Sequence, residues 1–240
     1  MVDIMVKLLI SPMSVEEAME SISGGADIID IKNPLEGSLG ANFPWVIREI
    51  AKLSKKHSKE VSATIGDMDF KPGTASLAAL GAAHSGVDYI KVGLFRIKNE
   101  EEAYEMLKAV LRAVKDLDEK KKVIAAAYAD YRNLGSISPL LLPEVGERAG
   151  VDGVMVDTAL KDGKTLFDHM TSNEIGKFVY ESKMRGLLCA LAGGITWKHL
   201  KGIKALRPDI IGVRTLVCKN GRNSDIDRGL VDRLANMLKQ

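Results

Sequence analysis

Four times along the chain a helix ends and a strand begins on the same short signal. It reads Gly25-Ala26-Asp27, Gly86-Val87-Asp88, Gly150-Val151-Asp152 and, with Pro in place of the small residue, Arg207-Pro208-Asp209. The four aspartates recur at intervals of about 60 residues, a period long enough to hold two strand–helix units. Between and after them lie eight short apolar, β-rich runs: residues 6–11, 27–32, 61–65, 88–93, 123–130, 151–157, 187–192 and 210–215. Helical stretches separate them. A Ser14-Val15-Glu16-Glu17 capping box opens the first, Pro44 suits the first turn of the second, and Asn99 and Thr196 cap later ones. Strands alternating with helices must run parallel and be joined by crossovers. Eight such units in 240 residues match the count and size of a (β/α)8 barrel; a doubly wound open sheet is the alternative. The fourfold repeat favours the closed barrel. No Pro/Ser/Gly-rich linker divides the chain, so residues 1–240 read as one domain.

Counting from each repeat aspartate sets the register, because strand side chains alternate with period two. Positions +2 and +4 are Ile29/Ile31, Ile90/Val92, Val154/Val156 and Ile211/Val213, all β-branched and suited to face the helices. Positions +3 and +5 are Asp30/Lys32, Lys91/Gly93, Met155/Asp157 and Gly212/Arg214, which then face the barrel axis. Asp30 and Lys91 fall in one interior layer. Lys32, Asp157 and Arg214 fall in the next layer toward the C-terminal mouth, where this fold keeps its active sites. The inward positions of the odd strands are small or polar: Ser11, Ser62, Thr64, Ala126, Tyr128, Asp130, Ala190 and Ala192. A purely structural salt bridge would account for Asp30 and Lys32 alone. Charges converging from four strands point to a site instead. Residues 66–73, with Asp67, Asp69 and Lys71, read as a loop able to close over a ligand.

A lysine becomes a nucleophile once burial and a neighbouring cation lower its pKa from about 10.4. Lys32 and Lys91, on neighbouring even strands, suit that purpose. A neutral amine attacks a carbonyl to form a Schiff base, an electron sink for carbanion chemistry. Asp30 and Asp157 can then move protons. Two segments suit phosphate: Gly193-Gly194 after the seventh strand, and Arg214-Thr215 closing the eighth. The histidines are scattered with no metal-ligand spacing, and no nucleotide-binding motif is present. The net charge of +2 and the lack of interleaved aromatics in the lysine runs argue against nucleic acid. Two cysteines without a disulfide framework, no leader-like N-terminus and no membrane-length apolar run predict a cytoplasmic protein.

The stretch Asp30-Ile31-Lys32-Asn33-Pro34-Leu35-Glu36-Gly37-Ser38-Leu39-Gly40-Ala41 resembles the signature of the (5-formylfuran-3-yl)methyl phosphate synthase family of methanofuran biosynthesis. The resemblance extends to Asp88–Gly93, Val156–Gly163 and Leu191–Gly194 and spans essentially the whole chain. It implies a TIM-barrel lyase that condenses two molecules of glyceraldehyde 3-phosphate into 4-(hydroxymethyl)-2-furancarboxaldehyde phosphate, with loss of phosphate and water. It assigns the Schiff base to Lys32, a second essential lysine to Lys91, and further site roles to Asp30, Asp157 and Lys161. No metal or redox cofactor is implied. Gly193, Gly194, Arg214 and Thr215 remain phosphate candidates on fold grounds alone. Another phosphosugar aldolase or isomerase, or a non-catalytic phosphometabolite-binding barrel, would share much of this pattern. Homo-oligomerisation is left open.

Overall fold

The computed structural model describes residues 6–239. Eight parallel strands close into a barrel in sequence order: β1 (Lys7–Ile10), β2 (Ile28–Ile31), β3 (Glu60–Met68), β4 (Tyr89–Leu94), β5 (Lys122–Tyr128), β6 (Gly153–Asp157), β7 (Leu188–Leu191) and β8 (Ile210–Val213). Closure is explicit in the pairing of Leu9 with Gly212 across β1 and β8. The helices around it are α1 (Val15–Ser23), α2 (Pro44–Lys56), α3 (Pro72–His84), α4 (Glu100–Lys115), the short α5 (Tyr131–Leu134), α6 (Leu142–Ala149), the short α7 (Leu166–His169), α8 (Ser172–Met184), α9 (Leu200–Leu206) and α10 (Arg228–Lys239). The open sheet is thereby excluded.

The register read from the repeat is the observed one at the outward positions. All eight β-branched residues at +2 and +4 are buried in the layer between strands and helices. A second, smaller apolar cluster fills the barrel itself, with Leu9, Ile28, Tyr89, Ile124, Ala126, Met155 and Ile210 among its members. Alternation along each strand thus separates two cores.

The repeat aspartates have a structural task that their spacing alone did not reveal. Each reaches back to the preceding odd strand. The carboxylates of Asp27, Asp88, Asp152 and Asp209 accept hydrogen bonds from the backbone N–H of Leu8, Val61, Val123 and Cys189 at 2.8–2.9 Å. The aspartates' own N–H groups donate to the carbonyls of the same four residues. Each pair staples two neighbouring strands at the N-terminal end of the barrel, satisfying backbone groups that would otherwise be left at a strand edge.

Two elements depart from the sequence reading. First, β3 continues through Met68 with a bulge between Thr64 and Asp67, where residues 66–73 were expected to be a loop. Gly66, at φ +109°, supplies the backbone conformation that a bulge of this kind needs. Second, the Ser14 capping box is only half formed. Ser14 Oγ accepts from the N–H of Glu17, but the Glu17 carboxylate takes the N–H of Met13 and faces Arg214. The segment after β6 holds the short helix α7.

The stapling role predicts that Asp27→Ala lowers unfolding free energy by about 1–3 kcal/mol, the cost of orphaning one buried donor from a charged acceptor. Chemical denaturation measures this, and an unchanged denaturation midpoint would show that the staple contributes nothing.

Candidate active site

The sequence-predicted residues sit at the C-terminal end of the barrel. A cavity of about 480 Å³ opens there, lined by Lys32, Asp157, Lys161, Gly193, Gly194, Arg214 and Thr215 among others. Asp30 and Lys91 lie outside its lining and are fully buried in the barrel.

Asp30 occupies the centre of this buried layer. Its carboxylate accepts from Ser11 Oγ at 2.9 Å, Ser62 Oγ at 2.5 Å and Lys91 Nζ at 2.7 Å. Burial pushes its pKa up, but Lys91, then Lys32, and the hydrogen bonds outweigh that and hold it below the ordinary carboxylate value. Asp157 forms the second acid–amine pair. Its Oδ1 accepts from the N–H of Thr158 at 2.7 Å and from Lys161 Nζ at 3.1 Å, and Lys161 is further held by the carbonyl of Thr158 at 2.6 Å. Burial opposes ionisation here too, yet Lys161 and Lys32 leave the Asp157 pKa lowered.

Lys32 differs from the other two lysines. Its Nζ makes no hydrogen bond or ion pair among the described residues, although the residue is only 5% exposed. Burial, opposed by Asp157 and Asp30 and reinforced by Lys91 and Lys161, lowers its pKa to about 7. At neutral pH a large share of this amine is therefore unprotonated. Chemically, the site is a bare amine facing a cavity, flanked by two carboxylate–amine pairs that can give and take protons.

The loop after β7 requires its glycines. Gly193 and Gly194 adopt φ of +97° and +60°. A Cβ on Gly193 would stand 3.0 Å from the Thr158 side chain, and one on Gly194 3.1 Å from the carbonyl of Lys164. The two residues therefore let the β7 loop pack against the β6 loop. The backbone N–H groups of Gly194, Ile195, Thr215 and Leu216, all in the cavity lining, have no acceptor among the described residues.

Arg214 is placed differently from expectation. The residue lines the cavity, but its guanidinium is committed to the protein. Nη1 and Nη2 bind Glu17 at 2.7 and 3.0 Å, Nη1 also binds the carbonyl of Ser11, and Nε binds the carbonyl of Arg222. Four of its five N–H donors are thereby used. Side chains at 1% and 7% exposure make this a buried clamp between β8 and α1.

Three residues to which sequence reasoning gave no catalytic or phosphate role belong to the rim. The bulge turns Asp67 inward, where it accepts from Tyr128 Oη and from the N–H of Leu39. Burial, then Asp67, pushes the Tyr128 phenol well above its usual pKa, so it remains a donor. The third, Arg222, lines the cavity and donates to the carbonyl of Gly37 at 2.9 Å. Asp130, expected to face the axis, is buried and receives the N–H groups of Ala159 and Leu160, which shapes the β6 loop. Among the described residues no group of three or more His, Cys, Asp or Glu side chains could hold a metal ion. No helix there is long and apolar enough to cross a membrane.

Fold and site together define a (β/α)8 barrel built around a charged pocket at its C-terminal mouth. Several solved barrels share the fold at low identity. KGPDC from Streptococcus mutans superposes with a TM-score of 0.68 at 13% identity, covering 98% of both chains. The 3-hexulose-6-phosphate synthase from Salmonella typhimurium gives 0.65 at 18% identity, covering 97% of this chain and 100% of that one. Sequence relatives are far nearer. Residues 8–235 match the 4-HFC-P synthase family. A (5-formylfuran-3-yl)methyl phosphate synthase from Archaeoglobus fulgidus is 64% identical over 228 residues, covering 95% of this chain and 97% of its own. The enzyme of that name from Methanocaldococcus jannaschii is 54% identical, covering 97% and 99%. The chain belongs to the 4-HFC-P synthase family.

Two measurements check the geometry. Reductive trapping of Lys32 by a small uncharged aldehyde should rise with pH through an inflection near about 7 and level off above it, because only the unprotonated amine reacts. Asp157→Asn should shift that inflection to lower pH, since the Asp157 charge raises the Lys32 pKa. An inflection at the ordinary lysine value would contradict the assignment. Separately, Glu17→Ala should cost about 3–5 kcal/mol in a denaturation experiment, as it leaves the Arg214 guanidinium buried without its partner.

Proposed function

We propose that the protein condenses two molecules of glyceraldehyde 3-phosphate into 4-(hydroxymethyl)-2-furancarboxaldehyde phosphate, releasing inorganic phosphate and water, as a lyase of methanofuran biosynthesis. The observation that carries this reading is Lys32: a buried amine, unpartnered among the described residues, facing the cavity, with its pKa lowered to about 7. The name its relatives carry, (5-formylfuran-3-yl)methyl phosphate synthase, supports the furan phosphate product.

Lys32 attacks the carbonyl carbon of one triose phosphate and, with loss of water, forms an imine. Protonated, the imine draws electrons from the adjacent C–H bond, and loss of that proton gives an enamine. The enamine carbon adds to the aldehyde of the second triose. Elimination of phosphate and dehydration then complete the ring, and water releases Lys32. The pairs Asp30–Lys91 and Asp157–Lys161 suit a relay of the protons, Lys161 from the cavity wall and Lys91 from the buried layer of the barrel. The β7 and β8 loops, with their unpaired N–H groups at Gly194, Ile195, Thr215 and Leu216, suit a substrate phosphate.

Borohydride reduction in the presence of glyceraldehyde 3-phosphate should add a triose-derived mass to the peptide carrying Lys32. Lys32→Ala should abolish both the adduct and turnover, whereas retained wild-type activity would eliminate the imine route. Release of inorganic phosphate together with furan absorbance separates this reaction from that of another phosphosugar aldolase or isomerase, which would give neither. Stoichiometric binding without turnover would instead indicate a non-catalytic barrel.

A further inference from the structure

Charge is unevenly distributed around the cavity. Five cationic side chains line it (Lys32, Lys161, Lys164, Arg214 and Arg222) against a single carboxylate, Asp157. Two of the five are already answered: Lys161 by Asp157, and Arg214 by Glu17 from outside the lining. Arg222 is not. It has no carboxylate within salt-bridge distance among the described residues, and only one of its N–H groups, on Nη2, is taken up, by the carbonyl of Gly37 at 2.9 Å. Burial works against its charge, with only partial compensation from the more distant Asp157 and Asp67. A half-buried guanidinium in this condition is poised for an anion, because a charge-assisted fork of donors is strongest when its acceptor is also charged.

We infer that Arg222 is the side chain that recognises the substrate phosphate, in the place that sequence alone gives to Arg214. The inference rests on the reading that the substrate is a phosphorylated aldehyde.

The two arginines act in series. Arg214, locked to Glu17 and to the carbonyl of Ser11, donates through Nε to the carbonyl of Arg222 at 2.8 Å. The buried arginine thereby fixes the backbone of the residue that carries the half-buried fork. Arg222 belongs to the segment between β8 and α10, the same one that contributes Thr215 and Leu216 with their unpaired N–H groups. Its remaining contact, Gly37, lies in the loop that follows Lys32. Phosphate held by Arg222 is thus coupled by one residue to the loop leaving the nucleophile, which favours phosphorylated over unphosphorylated aldehydes at the imine-forming step.

The test is reductive trapping at Lys32 with two aldehydes, glyceraldehyde 3-phosphate and glyceraldehyde, in wild type, Arg222→Gln and Arg222→Lys. Arg222→Gln should slow trapping of the phosphorylated aldehyde by about ten-fold or more and slow glyceraldehyde trapping several-fold less, with Arg222→Lys recovering part of the phosphate-specific loss. Equal losses with both aldehydes would mean that Arg222 only holds Gly37, and no loss with either would mean that it touches no phosphate; both overturn the inference. If wild type traps neither aldehyde, the proposed reaction fails, and inorganic phosphate alone then decides the role of Arg222. In that case phosphate should raise the melting temperature of wild type more than that of Arg222→Gln, and equal shifts would overturn the inference.

Discussion

The ion pair between Asp30 and Lys91, at 0% and 2% side-chain exposure, is the interaction on which the rest of the site depends. Withdrawing two charges from water costs several kcal/mol per ion, and their attraction offsets this only when the remaining lone pairs are also satisfied. Ser11 and Ser62 meet that condition. The carboxylate therefore joins side chains from β2, β3 and β4 and from the residue just after β1, neighbouring parts of the barrel wall held by one acid. The same saturation has a chemical effect. A carboxylate that already accepts from two hydroxyls and an ammonium has little left for another amine, so Asp30 acts on Lys32 only through space.

Asp157 repeats the arrangement one layer nearer the mouth. Its bonds go to Lys161 and to the N–H of Thr158, and again none goes to Lys32. Lys32 is thus left unpartnered by two acids that are each engaged elsewhere. Burial lowers its pKa, with Lys91 and Lys161 adding to the effect and the two acids opposing it without pairing with it. Two amines from neighbouring even-numbered strands are driven apart in behaviour in this way: Lys91 has a carboxylate at 2.7 Å, while Lys32 has only the cavity. Separating like groups by environment is how one pocket obtains both a nucleophile and a proton relay.

What was legible in the sequence was what periodicity governs. The repeat aspartates marked where even strands start, and counting by two placed Ile29, Val92, Val154 and their counterparts outward and Asp30, Lys91 and Asp157 inward. What was not legible arose where periodicity breaks or where a residue serves two elements. Gly66 introduces a bulge, and the extra residue returns Asp67 to the rim, which strict alternation past Thr64 would not locate. Glu17 fitted a capping box so well that its reach toward Arg214, nearly two hundred residues away in sequence, had no local signature. Counting by two was correct in placing Arg214 at the mouth and uninformative about its partner. Arg222 follows a strand end in a segment without repeat or period, where no pattern could single it out.

The rim itself shows why these long-range partners matter. The loop after β2, which carries Lys32 out of the barrel, is tied down on three sides. Asp67 takes the N–H of Leu39, Ser38 Oγ donates to the carbonyl of Thr158, and Arg222 donates to the carbonyl of Gly37. Each tie comes from a different neighbour, β3, the β6 loop and the β8–α10 segment. Two of those neighbours also hold groups of the candidate site. Thr158 follows Asp157 and holds Lys161, and Arg222 is positioned by Arg214. A reactive amine is useful only if its approach to a carbonyl is fixed to within a fraction of an ångström, and loops are poor at this unless they are cross-braced. Here the bracing is made by residues that flank the cavity, so its wall is already held in place, and the entropy of ordering it, which binding under the proposed function would otherwise cost, has been met by folding.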